Sequence, residues 1–208
     1  MADPRPFVSD IAFTAAVKAA QARNGAREAM ARLQEHRDWA QTMSPEIRRL
    51  VAAQDSFFLA TASAEGQPYM QHRGGPPGFL HALDERTLVF ADFAGNRHYI
   101  SLGNLSENDR AFIFLMDWPS ATRVKFWGRL SVLEDPALLA RLSRPDYPGR
   151  PERVLRFAIE ALDVNCRQHI TRRYSEQDVA RATDGLRRHI AELETELARL
   201  RSQVKSGG

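Results

Sequence analysis

The chain carries one cysteine, Cys166, in 208 residues. A single thiol excludes an intrachain disulfide framework and suits a reducing compartment. Long hydrophobic runs are missing as well, and no stretch approaches the roughly eighteen apolar residues that a spanning helix needs. The opening MADPRPFVSD holds charges and two prolines where a secretory leader requires an apolar segment. These absences set the expectation of a cytoplasmic protein without membrane association. Lysine is scarce, nearly all the positive charge is arginine, and the net charge is only +3. Acidic and basic residues are interspersed without a basic stripe, which argues against nucleic acid as a partner. Metal ligands are too few: Cys166 and His169 stand at a compatible spacing, but no second cysteine exists and the other histidines are scattered. No metal site is expected. Cys166 reads as a small buried hydrophobe.

What is present suffices for one sizeable core, with 43% hydrophobic residues. Periodicity divides the chain into three zones. Residues 1–54 form an N-terminal helical segment, with helix from about Ile11. A second start is marked by Ser44 as N-cap, Pro45 in the first helical position and Glu46 in the first turn. The middle zone alternates as strands do: FFLATAS, a turn at Ala64-Glu65-Gly66, QPYMQHR, then TLVFADF, AFIFLMDW and Arg123 to Val132. In that last strand Val124, Phe126, Gly128, Leu130 and Val132 share one face, and Arg123, Lys125, Trp127 and Arg129 the other. GGPPG imposes a stiff, irregular connection. Asp135-Pro136 starts a short helix, and RVLRFAIEAL reads as strand or helix. From Ser175 the period is unmistakable. Leu186, Ile190, Leu193, Leu197, Leu200 and Val204 alternate steps of four and three, a heptad seam.

The chemistry-bearing residues concentrate between Gly66 and Trp127. Gln71, His72 and Arg73 lie on one strand and run into Gly74. Asn96, Arg97 and His98 are expected to open a short helix directly after TLVFADF, where free backbone N–H groups and an arginine suit a phosphate. Arg123 and Lys125 add positive charge on one strand face. The plainer readings stand beside these: a solvated helix start at Arg97-His98, a wet strand face at Arg123 and Lys125, a mere turn at GGPPG. Tyr69, Trp118 and Trp127 read as core aromatics or as ring-stacking groups.

As an ensemble, FFLATASAEGQPYMQHRGG through TLVFADFAGNRHYISLGN to AFIFLMDW and TRVKFWG resembles the core of the pyridoxamine 5′-phosphate oxidase-like FMN-binding family. The resemblance covers roughly residues 50 to 135. It implies a mainly β fold with flanking helices, an antiparallel split β-barrel over residues 55–174; the heptad helix read from periodicity then occupies 175–208. It also implies a homodimer with FMN at the interface, lined by residues of both chains. Arg97 matches the arginine that grips the FMN phosphate, His98 stands at a second contact, and Asn96 opens the turn. Ala91 and Asp92 match positions that touch the flavin. Arg123 stands where the family's founding enzyme has a glutamine, and Gln71 where it has a phosphate-binding arginine, a duty that Arg73 takes over. The C-terminal substrate-holding segment of that enzyme has no counterpart here. The implied function is an FMN-dependent oxidoreductase acting on a small molecule. The alternatives are a non-catalytic flavin- or haem-binding protein and an NAD(P)H-dependent flavin reductase.

Overall fold

A computed structural model describes residues 6–165 and 168–206. Cys166 lies outside the described residues, and the Cys166–His169 spacing with it. The chain forms two compact units, Met1–Asp117 with Thr122–Gln168, and Trp118–Ala121 with His169–Gly208.

The larger unit opens with a short 3₁₀ turn, Val8–Ile11, then α1 (Ala15–Arg23), α2 (Arg27–Arg37) and α3 (Pro45–Ala53). Helix α3 starts as its sequence dictates: the Ser44 side chain accepts from the Ile47 N–H, and Pro45 occupies the first turn. Seven strands follow: β1 (Ser56–Ala62), β2 (Pro68–Gly74), β3 (Leu80–Ala82), β4 (Thr87–Phe93), β5 (Arg110–Asp117), β6 (Thr122–Leu133) and β7 (Pro151–Asn165). Helix α4 (Ile100–Glu107) links β4 to β5, and α5 (Pro136–Leu142) links β6 to β7. RVLRFAIEAL is therefore strand, and GFLHA after GGPPG supplies a short strand that the alternation pattern had not shown.

All pairings are antiparallel, in the order β2-β1-β5-β6-β7-β4-β3. The sheet curls until its two ends meet. Phe57 of β1 packs edge-on to Phe90 of β4 with ring centroids 5.0 Å apart, and Arg73 of β2 bonds Asp92 of β4. Neither pair consists of neighbours in the hydrogen-bonded order, so the contacts require closure into a half-barrel. The result is an antiparallel split barrel with flanking helices.

Strand alternation fills the interior. Phe57 and Leu59, Leu88 and Phe90, Ile113 and Leu115, Val124 and Phe126, and Leu155 and Phe157 point inward and are buried. Each such side chain contributes roughly 1.5–3 kcal/mol by leaving water. β4 is covered on its other face too, because Val89 packs with Val154 beneath Leu138 of α5. On the outer face, β5 and β6 carry aromatic rings around Trp127. Trp127 stacks on Trp39 at 4.5 Å and meets Phe112 edge-on.

In the smaller unit, α6 (Glu176–Ser206) continues for 31 residues. A capping box starts it: Ser175 Oγ accepts from the Asp178 N–H at 3.1 Å, and the Asp178 carboxylate accepts from the Ser175 N–H at 3.1 Å. The Arg173 guanidinium lies over the Trp118 ring, 4.6 Å from its centroid. No helix among the described residues is long and apolar enough to cross a membrane.

Candidate functional site

Strand parity decides which polar groups meet. Residues of β2 opposite the inward residues of β1 share their face: Tyr69 pairs with Thr61, Gln71 with Leu59 and Arg73 with Phe57. Asp92 has the parity of Leu88 and Phe90, so it ends the inward row of β4. Helix α4 closes this corner. Ser101 Oγ donates to Gln71 Oε1 at 3.3 Å, and Asn104 Nδ2 donates to Thr61 Oγ1 at 3.0 Å. Between these elements lies a cavity of about 140 Å³. It is lined by Tyr69, Gln71 and Arg73 of β2, Asp92 and Phe93 of β4, the turn from Gly95 to Tyr99, the start of α4, and Glu152 and Arg153 of β7.

The turn before α4 is built differently from the expected helix start. Helix α4 begins at Ile100, after Arg97 and Tyr99 take left-handed conformations with φ of 59° and 52°. The His98 N–H donates to Asn96 Oδ1 at 3.2 Å, an Asx-type turn that bends the chain after Gly95. Left-handed backbone is unfavourable for residues with a β-carbon, so the turn spends conformational energy to leave Arg97 and His98 exposed along the cavity wall.

Charge is arranged asymmetrically. Asp92 bridges two guanidiniums: one oxygen takes Arg73 Nη1, and the other takes Arg153 Nη1 at 2.6 Å. Arg153 also reaches Glu152 at 3.0 Å. Both carboxylates of the cavity are thus engaged, whereas Arg97 has no acidic partner among the described residues. Arg73 Nε is buried with no hydrogen-bond partner. A polar corner with three guanidiniums, two neutralised carboxylates and side-chain amides is suited to an anion.

Of the residues singled out in the sequence, Gln71, Arg73, Asp92, Asn96, Arg97 and His98 come together here. Others stand apart. His72 and Gly74 have the opposite parity on β2, and the His72 ring lies edge-on to Phe58 on the outer face. Ala91 is buried beside Val154, pointing away from Asp92. Arg123 and Lys125 lie on the outer face of β6, where Lys125 faces Asp163 of β7 at 3.6 Å. Ten residues of β7 separate Asp163 from Arg153, roughly 30 Å at strand rise. One chain therefore cannot bring Arg123 and Arg97 to the same small ligand. Arg123 Nε, like that of Arg73, is buried without a hydrogen-bond partner. Sequence reasoning missed Arg153, Glu152 and Ser101. Arg153 sits opposite Asp92 in the β4–β7 register, a complementary pair legible only once β7 is known to be a strand. Among the described residues, no group of three or more His, Cys, Asp and Glu could hold a metal ion.

A family model described as pyridoxamine 5′-phosphate oxidase matches residues 43–166, more than half of the chain. No curated protein matches. Solved structures similar to this chain include HupZ of Group A Streptococcus, at 18% identity and a TM-score of 0.48 over 64% of this chain and 99% of that one. A candidate pyridoxamine 5′-phosphate oxidase of Lactobacillus delbrueckii is 22% identical, with a TM-score of 0.46 over 60% and 95% of the two chains. An FMN-binding protein of Syntrophomonas wolfei is 16% identical, with a TM-score of 0.45 over 71% and 97%.

Proposed function

This chain belongs to the pyridoxamine 5′-phosphate oxidase family, and from that premise we propose that it binds FMN and acts as an FMN-dependent oxidoreductase on a small molecule, at the interface of a homodimer. The observation that carries the proposal is Arg97, which has no acidic partner among the described residues and is displayed by a left-handed turn along the wall of the cavity. An exposed guanidinium in a corner whose carboxylates are already engaged fits a phosphate.

The size of the corner supports a shared site. A cavity of about 140 Å³ is well below the ~300 Å³ at which pockets for drug-sized ligands begin. It suits a phosphate and the start of a sugar chain, and leaves a planar ring to be covered from elsewhere. Arg123 has no ion-pair partner among the described residues, and a two-fold axis that brought the outer face of one β6 to the partner's cavity would supply that cover.

FMN held here would supply two-electron hydride chemistry toward a small molecule. The chain's own residues have binding and orienting roles. Arg97, Asn96 and His98 hold the phosphate, and Arg73 is steadied by Asp92. Gln71 is fixed by Ser101 and offers its amide N–H groups to the ligand. Arg123 would place positive charge near a bound ring, whereas the charge of Lys125 is offset by Asp163.

The test is flavin retention. Wild-type protein is expected to purify yellow or to take up added FMN, and Arg97→Ala is expected to stay folded and lose the flavin on gel filtration. Folded Arg97→Ala that keeps its flavin as tightly as wild type overturns the proposal. Bleaching by pyridoxamine phosphate alone would mark an oxidase, and bleaching only with NADPH a reductase.

A further inference from the structure

Helix α6 is amphipathic along its whole length, yet its apolar stripe stays open. Val179, Leu186, Ile190, Leu193, Leu197 and Leu200 are each between 47% and 65% exposed. Six large apolar side chains in register on one helix constitute a contiguous patch of the kind that marks an association surface. We infer that this stripe pairs with α6 of a second copy of the chain as a parallel, in-register two-stranded coiled coil.

The heptad positions argue for that occupant. With Ile190 at a and Leu193 at d, the a positions are Thr183, Ile190, Leu197 and Val204. The d positions are Val179, Leu186, Leu193 and Leu200. β-Branched residues at a, combined with leucine at d, favour a parallel dimer over higher assemblies. Three consecutive d layers are leucine, and three of the four a residues are β-branched. An antiparallel arrangement would mix the two kinds, setting Ile190 against Leu193 and Thr183 against Leu200.

Flanking charge is complementary to the same chain. In the parallel register His189 at g faces Glu194 at e of the other copy, and Glu196 at g faces Arg201 at e. No like-charged pair falls on either flank. Within the helix, Asp178 with Arg181 and Glu196 with Arg199 form i,i+3 ion pairs at 2.8 and 2.6 Å, which favour one continuous rod.

The test uses the full chain with Cys166→Ser, so that one introduced cysteine is the only thiol. In Leu200→Cys the two thiols of a parallel pair meet across a d layer. In the antiparallel pair each faces position 183, about 25 Å from its counterpart at 1.5 Å per residue. Mild oxidation is expected to shift the Leu200→Cys band on a non-reducing gel to twice the monomer mass, and to leave Thr195→Cys, on the outer face, as monomer. Leu193→Cys repeats the test at a second d position should Leu200→Cys lose helical circular dichroism. Equal cross-linking at 195 and 200 would overturn the inference, as would no cross-linking at either d position. Dimer formed only by mixing Leu200→Cys with Thr183→Cys would overturn it too. The readout involves no flavin, so its failure leaves the FMN proposal untouched.

Discussion

At Asp92 a single carboxylate meets two guanidiniums, one from β2 and one from β7. Burying such a cluster yields little net stability, because desolvation offsets the attraction, but removing the central charge strands two cations. Asp92→Asn is nearly isosteric and is therefore expected to destabilise the fold by about 3 kcal/mol, read as a lowered urea midpoint. A change below about 1 kcal/mol would mean that the cluster behaves like a surface ion pair. Asp10 is a second informative carboxylate, held by Lys18 at 2.7 Å and by Gln34 at 2.9 Å. Burial raises its pKa, but the Lys18 and Gln34 hydrogen bonds and the Lys18 charge outweigh that, and the net shift is downward. A carboxyl lowered by folding adds stability above its unfolded value of about 4, and that gain is lost as pH falls through the folded value. Melting temperature followed from neutral pH into the acid limb should thus fall less steeply for Asp10→Asn than for wild type.

Among the elements, β6 is tightly constrained at Gly128. Its pairing with β7 shifts register between Trp127 and Gly128. A methyl group at Gly128 would stand 2.1 Å from the Ala158 carbonyl oxygen and 2.8 Å from the Phe157 ring. Gly128→Ala is accordingly expected to cost about 3 kcal/mol, seen as a lowered melting temperature; an unchanged one would mean that β7 yields freely. Val132, read in the sequence as sharing the face of Leu130, is 46% exposed whereas Leu130 is buried, for Val132 lies one residue from the end of β6. Strands β1, β2, β4, β5 and β6 were legible from alternation or a continuous apolar run. β7 was ambiguous because Val154 packs under α5 while Leu155 fills the barrel, so both faces near its start are apolar. β3 was hidden by its three-residue length behind GGPPG. Of the candidate site, a polar turn after TLVFADF was legible in Asn96, Arg97 and His98. The delayed start of α4 was not, since nothing in Arg97 or Tyr99 signals a left-handed residue.

For the whole molecule, the proposed shared site makes a prediction that no single-chain site makes. If Arg97 of one protomer and Arg123 of its partner grip the same FMN, Arg97→Ala and Arg123→Ala are each expected to lose flavin. Co-expression of the two variants should then restore it to part of the population, because a mixed dimer regains one intact site. Absorbance of the purified mixture measures this, and a colourless mixture would show that the two arginines do not meet across a dimer interface. The seam of the barrel gives the corner one more property. The Arg73–Asp92 pair joins β2 to β4, strands that the sheet's own hydrogen bonds leave unjoined, so the clasp that shuts the cylinder is also the wall against which an anion would rest. Occupancy and closure are then thermodynamically linked: a guest gripping that clasp would raise the temperature at which the cylinder springs open, and a loosened clasp would in turn release its guest.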